Sequence, residues 1–376
     1  MKPPNRFYEI VFTNKKRWYY RKVAVKRFGR PNKNVFCGAV LVTLKDIAKE
    51  CNVSFSTVSK ALKGSTEIGI ETTKFIRQKA KEMGYHPNLA ARTLRTNKTY
   101  DIGVIFEDKT GAGFQHEYFA SIISGIQKAT FKKDYGMTFV GLDVKKNYDY
   151  LSLARARNYD GVAILSCDFD SPGIKDLINS EIPTVMLDYF SNGNYSAVLS
   201  DYTKGIEELC EYVISCGHTK IAMIHGEKTW VTKQRLDSFK KTCEKHGISI
   251  PGEYFIEGLY HETEQSAAAT QKLLSLKEPP TCIFYPDDYS ALGGIRELGK
   301  KNLVLGKDIS IVGYDGIMLT SMMIPPLTTY EQNGETIGLS MANALLEQIE
   351  NRENFIPKNE FVTGKIIIGG TVAKLN

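Results

Sequence analysis

The 376-residue chain has no uninterrupted apolar stretch near the roughly 18 residues that a membrane-spanning helix needs, so it contains no candidate span. Its cysteines, at 37, 51, 167, 210, 216, 243 and 282, form no C-x-x-C pair, and an odd number cannot all be joined within one chain. Each reads as a small buried apolar side chain in a reducing, cytoplasmic setting. G-x-x-x-x-G-K-S/T, G-x-S-x-G and H-E-x-x-H are all missing, and the six histidines are scattered. The sequence therefore offers no phosphate loop, no nucleophile elbow and no zinc-protease helix. The Gly-x-Gly at 111–113 lacks the third glycine of a dinucleotide loop and reads as a plain loop, and GHTKI at 217–221 as a helix end entering a strand. No catalytic constellation, metal or cofactor is expected.

The first forty residues are nearly devoid of acid: eleven Lys or Arg stand against the single Glu9. Residues 41–98 carry eleven basic and five acidic side chains, so the whole-chain charge of +7 leaves the remaining 278 residues at −9. A short basic head on a large acidic body suggests a polyanion-binding unit joined to a domain that binds something else. Hydrophobic residues at 42% and charged ones at 24% are ordinary for a globular protein, and the length allows two or three packed units.

Residues 1–41 mix basic and aromatic residues, as in KKRWYYRKVAVKR at 15–27, without helical or strand periodicity, and read as disordered or non-native sequence. The apolar run VFCGAVLV at 35–42 has too long a basic lead-in for a signal peptide, and Lys45 and Asp46 follow at once. The preferred explanation is an over-extended start, with Leu41 or Val42 as the initiator from a TTG or GTG codon. The functional alternative is a basic arm adding phosphate contacts.

From Thr43 the pattern sharpens. In TLKDIAKECNVSFSTVSKALKG, Thr43 and Asp46 have capping-box spacing, and Leu44, Ile47 and Ala48 share a helical face. Asn52 and Val53 suit a tight turn, Ser54 is a good N-cap, and Val58 with Leu62 makes an inward stripe. A third helix is expected from about Ile70 to Met83, buried through Ile76, Ala80 and Met83 and stopped by Gly84. This is a helix-turn-helix signature.

VSFSTVSKAL at 53–62 and GYHPNLAARTL at 84–94 resemble the lactose-repressor (LacI) family, and the resemblance extends to residue 376. It implies that Phe55, Ser56 and Lys60 face base edges in the major groove of a double-stranded operator, while Thr43, Thr57 and Ser59 grip phosphates and Ser54 opens the helix. Lys60 can donate to guanine O6 and N7, Ser56 can give or accept, and Phe55 can touch a thymine methyl or instead be a buried plug. Lys63 stands near a place where the family usually has Asn. The resemblance also implies that the link, residues 87–98, forms a short hinge helix with its twin in a homodimer, inserting Leu94 into the minor groove between Arg92 and Arg95. That helix starts at Pro87 and is too short to be stable alone.

After Lys98, short apolar runs (DIGVIF, MTFVGLD, GVAILS, TVMLD, KIAMIHG, CIFYP, ISIVGYD) alternate with helical stretches, predicting a doubly wound parallel sheet in two lobes. Ligands in such folds bind beyond the carboxyl ends of strands, where Asp188, Asp287, Asp288 and Asp315 stand, with Arg235 in the helix after KIAMIHG. Carboxylates and an Arg converging on a cleft suit the many hydroxyls of a sugar. Each Asp could equally be a turn or cap residue.

The family's core is similar to the type I periplasmic sugar-binding proteins, and the resemblance places Arg235, Asp315, Asp188 and Asp287 at the pocket and PPLTTYEQ (325–332) at a crossing between lobes. Asp287 stands where Asn is frequent and Gly316 where a second Asp is common, so the sugar cannot be named. Tyr118, Phe119 and Trp230 could stack on sugar faces or simply pack. The expected architecture is thus an all-α helix-turn-helix head (42–86), the link (87–98), and an α/β core (99–376) whose lobes span about 99–199 with 332–358, and about 200–331 with 359–376. A tetramer is possible, although nothing after Ile368 reads as a heptad helix. The rival reading is a solute-binding protein of the same core fold without regulatory role; it predicts an export signal that is not visible.

Overall fold

A computed structural model describes residues 42–86, 92–93, 96–107, 113, 116–140, 149–190 and 192–375, together with the backbone of four short leader strands. In the leader, Tyr8–Phe12 pairs antiparallel with Trp18–Lys22, and Val35–Phe36 with Ala39–Val40. The chain divides into two compact units, 1–89 and 90–376.

The head contains three helices, α1 (Leu44–Glu50), α2 (Phe55–Leu62) and α3 (Ile70–Glu82). The Thr43 hydroxyl accepts from the Asp46 N–H while the Asp46 carboxylate accepts from the Thr43 N–H at 2.8 Å, closing the expected capping box. Asn52, with φ of +51°, makes the turn between α1 and α2. Ser54 caps α2 by accepting from the Thr57 N–H at 3.1 Å. Ile47, Ala48, Val58, Ala61, Ile76 and Ala80 are buried together as one small core. Leu62 and Met83, expected inward, are only partly buried at its edge.

The second unit is built on two parallel sheets. The larger has six strands, ordered Asn359–Val362, Ser196–Ser200, Thr184–Leu187, Gly161–Ser166, Asp101–Phe106 and Gly136–Val140. The smaller has four, ordered Phe255–Glu257, Ile221–His225, Cys282–Phe284 and Ser310–Val312. The central strands of both are buried along their length, which is why they read as continuous apolar runs rather than alternating ones.

The chain crosses between lobes three times. It leaves the large sheet at Ser200 for the helix Tyr202–Ser215, returns from Thr329–Glu331 into the helix Gly334–Glu350, and crosses again from Val362 to Lys365–Ile367. Thr329–Glu331 and Lys365–Ile367 pair antiparallel, so two of the crossings are tied to each other. One expected boundary is corrected: Asn359–Val362 belongs to the first lobe, because it pairs in parallel with Ser196–Ser200, and the second lobe resumes only at Lys365. Position along the chain could not reveal that pairing.

In the first lobe, the helices Glu117–Phe131 and Gly334–Glu350 approach with backbones in contact. A Cβ on Gly338 would lie 2.0 Å from the Ile122 carbonyl oxygen, and one on Gly125 would lie 2.2 Å from that of Glu335. Six cysteines are free and buried, and Cys37 lies outside the described residues. Among the described residues, no helix is long and apolar enough to cross a membrane.

Candidate functional site

On α2 the inward positions Val58 and Ala61 leave Ser54, Phe55, Ser56 and Lys60 exposed, with Thr57 and Ser59 partly so. Phe55 is 52% exposed, which rules out the buried plug. The Ser54 hydroxyl lies 2.7 Å from that of Ser56 and 2.8 Å from that of Thr57, so three small polar groups are pre-arranged at the start of the helix. Ser56 and Lys60 are one turn apart on the same face, as are Phe55 and Ser59. Glu67 forms an ion pair with Lys60. In the link, the Arg92 guanidinium sits 3.5 Å from the centre of the Tyr100 ring and 3.7 Å from Asp134. Leu94, Arg95 and most of the expected hinge helix lie outside the described residues.

The second candidate site lies where the lobes face each other. Arg235, on the helix Trp230–Lys245, is 4% exposed and donates through Nη1 to the Pro286 carbonyl at 2.6 Å. Its guanidinium carbon lies 3.8 Å from the Tyr314 ring centre, 4.7 Å from that of Tyr202 and 5.6 Å from that of Tyr260. Burial opposes its charge, but these tyrosines and Asp315 hold the proton more firmly than usual. Among the described residues its Nε–H has no hydrogen-bond partner.

Two carboxylates face this cation. Asp188, at the end of Thr184–Leu187 with φ of +53°, accepts from the Tyr202 hydroxyl at 2.5 Å and from the Ser200 N–H at 3.0 Å. Burial lifts its pKa to about 6, against the pull of Tyr202, Ser200, Arg235 and Tyr118. Asp315, after Ser310–Val312, accepts from Gln332 Nε2 at 2.6 Å, and burial followed by the charge of Asp287 raises it to about 7. Asp315 and Gln332 line a hollow of about 580 Å³ with Tyr118, Ser121 and Asn333. The buried Gln332 Oε1 and Tyr314 hydroxyl also lack hydrogen-bond partners among the described residues.

The other expected positions fare differently. Asp287 is the N-cap of the helix Asp288–Lys300: it accepts from the Ser290 N–H and hydroxyl, both at 2.8 Å, and from the His261 N–H at 2.8 Å. Burial alone would raise its pKa, but His261 and Ser290 bring it below the usual value. It is a cap and a support for His261. Asp288 is fixed internally by Ile317, Thr320 and Thr329. Phe119 packs against Phe106 and His116 at 4.8 and 4.9 Å between ring centres. Trp230, 36% exposed, lines a separate hollow of about 460 Å³ with Phe190, Tyr202 and Phe361.

Sequence reasoning missed Tyr202, Tyr260, Tyr314 and Gln332, and with them a histidine pair: His116 Nε2 lies 2.7 Å from Nε2 and 3.0 Å from Nδ1 of His261, 145 positions away. The visible signal for the tyrosines was that Tyr314 directly precedes Asp315 and Tyr202 sits two residues beyond the Ser196–Ser200 strand.

At Gly316 the structure explains a departure noted above. Its φ is +72°, and a Cβ would lie 2.6 Å from Glu331 Cα, so an aspartate here would require the crossing strand to move.

Residues 43–88 match the model of bacterial regulatory proteins of the lacI family, and residues 210–372 that of a periplasmic binding protein-like domain. A probable HTH-type transcriptional repressor of Bacillus subtilis, ExuR, is 35% identical over 316 residues, covering 83% of this chain and 93% of its own length. Among solved structures, the lac repressor dimer bound to operator and the anti-inducer ONPF superposes with a TM-score of 0.73 at 22% identity, covering 89% of this chain and 99% of that one. A complex of the regulator CelR with cellobiose gives 0.67 at 21% identity, covering 88% and 99%. With its capped helix-turn-helix, its two-lobed parallel-sheet core and its relatives among transcriptional repressors, the chain belongs to the LacI family of bacterial transcription regulators.

Proposed function

We propose that this repressor is controlled by a small carbohydrate held between the lobes by Arg235, Asp188 and Asp315, with Tyr118 against the ring. The observation that carries the proposal is Arg235: a buried guanidinium, walled by tyrosines, with its Nε–H unpartnered among the described residues and carboxylates from both lobes facing it. Such an arrangement donates to and accepts from several hydroxyls at once. The cellobiose of the CelR complex supports a sugar of this kind. In this reading the carboxylates bind and no proton is transferred, so the chain is not an enzyme, and it works in the cytoplasm where its DNA is.

On the DNA side, Ser56, Lys60 and Phe55 read base edges, Thr43, Thr57 and Ser59 hold phosphates, and Arg92, Leu94 and Arg95 engage the minor groove. The operator-bound dimer of the lac repressor supports a homodimer. Ligand binding changes the angle between lobes and thereby operator affinity. The test is a gel-shift titration of the full chain on the promoters of its own and neighbouring genes, with and without candidate sugars. Sequence-specific binding that a sugar changes is expected. Specific binding indifferent to every sugar, including in thermal-shift screening, would overturn the choice of effector.

A further inference from the structure

The histidine pair joins the two lobes. His116 immediately precedes the first-lobe helix Glu117–Phe131, His261 lies in the second lobe beyond Phe255–Glu257, and both are largely buried. With Asp315 they form, among the described residues, the one group of three whose ligand atoms all lie within 4.8 Å of one another. Two imidazole nitrogens this close share a single proton, whereas a metal ion satisfies both lone pairs together. Two of the three residues are themselves held by neighbouring polar groups. Asp287 Oδ1 lies 3.3 Å from His261 Nδ1, the carboxylate partner that orients a ligating imidazole through its other nitrogen. Gln332 holds Asp315 through Oδ1.

The geometry points to a transition-metal site, of the zinc, nickel or copper class, formed by His116 from one lobe and His261 and Asp315 from the other. Two imidazoles and one carboxylate favour these ions over magnesium or calcium, which prefer all-oxygen shells. Metal–nitrogen bonds of about 2.0–2.1 Å at a tetrahedral angle set the nitrogens about 3.3 Å apart. The two Nε2 atoms, now 2.7 Å apart, would move about 0.6 Å further from each other to take up the ion. Three protein ligands leave one position for water or for a hydroxyl of the cleft ligand. Because the ligands come from both lobes, the ion fixes the angle between them. This inference does not depend on the sugar reading.

The experiment is titration of the full-length chain, stripped with a chelator, with Zn²⁺ by calorimetry and with Co²⁺ by visible absorption. One equivalent should bind, with the absorption bands of a four-coordinate cobalt centre. His116→Gln and His261→Gln should each weaken binding by about a hundredfold or more and abolish those bands. Both substitutions keep a hydrogen-bonding amide, and circular dichroism checks that the variants remain folded. His246→Gln, which alters a surface pair with Glu211, should leave the titration unchanged. Failure of the wild-type chain to bind one equivalent, or retention of affinity and spectrum in both cleft variants, would overturn the assignment.

Discussion

The Arg235 guanidinium stacks 3.8 Å from the centre of the Tyr314 ring and is anchored through a 2.6 Å bond to the Pro286 carbonyl. A planar, delocalised cation can be stacked and anchored at once; an ammonium cannot reproduce both. Arg235→Lys should therefore keep operator affinity within about twofold while weakening the effector at least tenfold, about 1.4 kcal/mol. Gel shifts with increasing effector would show it. A variant with normal effector response would remove Arg235 from the site.

On α2, Lys60 is ion-paired with Glu67, which in the proposed function competes with DNA for it. Lys60→Ala should cost about 1–3 kcal/mol on the cognate operator and relax specificity at one base pair. Glu67→Gln should act in the opposite direction and tighten binding most at low salt. Binding competitions over a panel of single-base operator variants separate the two effects, and equal losses from both variants would contradict them.

Much of the head was legible because its signals are local. Thr43 with Asp46, Ser54 and Asn52 each act within a few residues, and the structure places each as the sequence predicts. The cleft was legible only in outline. Five acids or bases end strands or open helices in the same way, and only packing separates Asp287, consumed by Ser290 and His261, from Asp188 and Asp315. The His116–His261 contact and the Asn359–Val362 pairing join distant segments, and no periodicity carries that information.

Gly338→Ala should destabilise the first lobe by about 1–3 kcal/mol, because the added methyl meets the backbone of the facing helix rather than a side chain that could turn away. Urea unfolding measures the loss. Unchanged stability would mean that the two helices separate freely.

Asp188 gives a pH signature. Its pKa in the folded protein, about 6, exceeds the unfolded value near 3.9, so folding takes up a proton. Its stabilising contribution is complete below about pH 4 and is lost as the pH rises to about 6. Asp188→Asn should gain on the wild type in Tm across that window and run parallel above it. Parallel melting curves throughout would show that the carboxylate keeps an ordinary pKa.

Residues 42–376 sum to −3, so the positive charge of the whole chain comes from the leader. A protein lacking residues 1–41 should still bind its operator specifically, losing chiefly non-specific affinity and part of its salt dependence. Loss of specific binding would identify the leader as a DNA-contacting arm.

Three strands of chain join the lobes, and two of them are stitched together by the Thr329–Glu331 and Lys365–Ile367 ladder. A single tether would let the lobes swivel, twist and slide independently. Triple attachment makes a closed linkage whose easiest motion is rotation about one axis, with the other directions stiff. Such a linkage expresses occupation of the cleft as a single angle between the lobes rather than as a spread of positions.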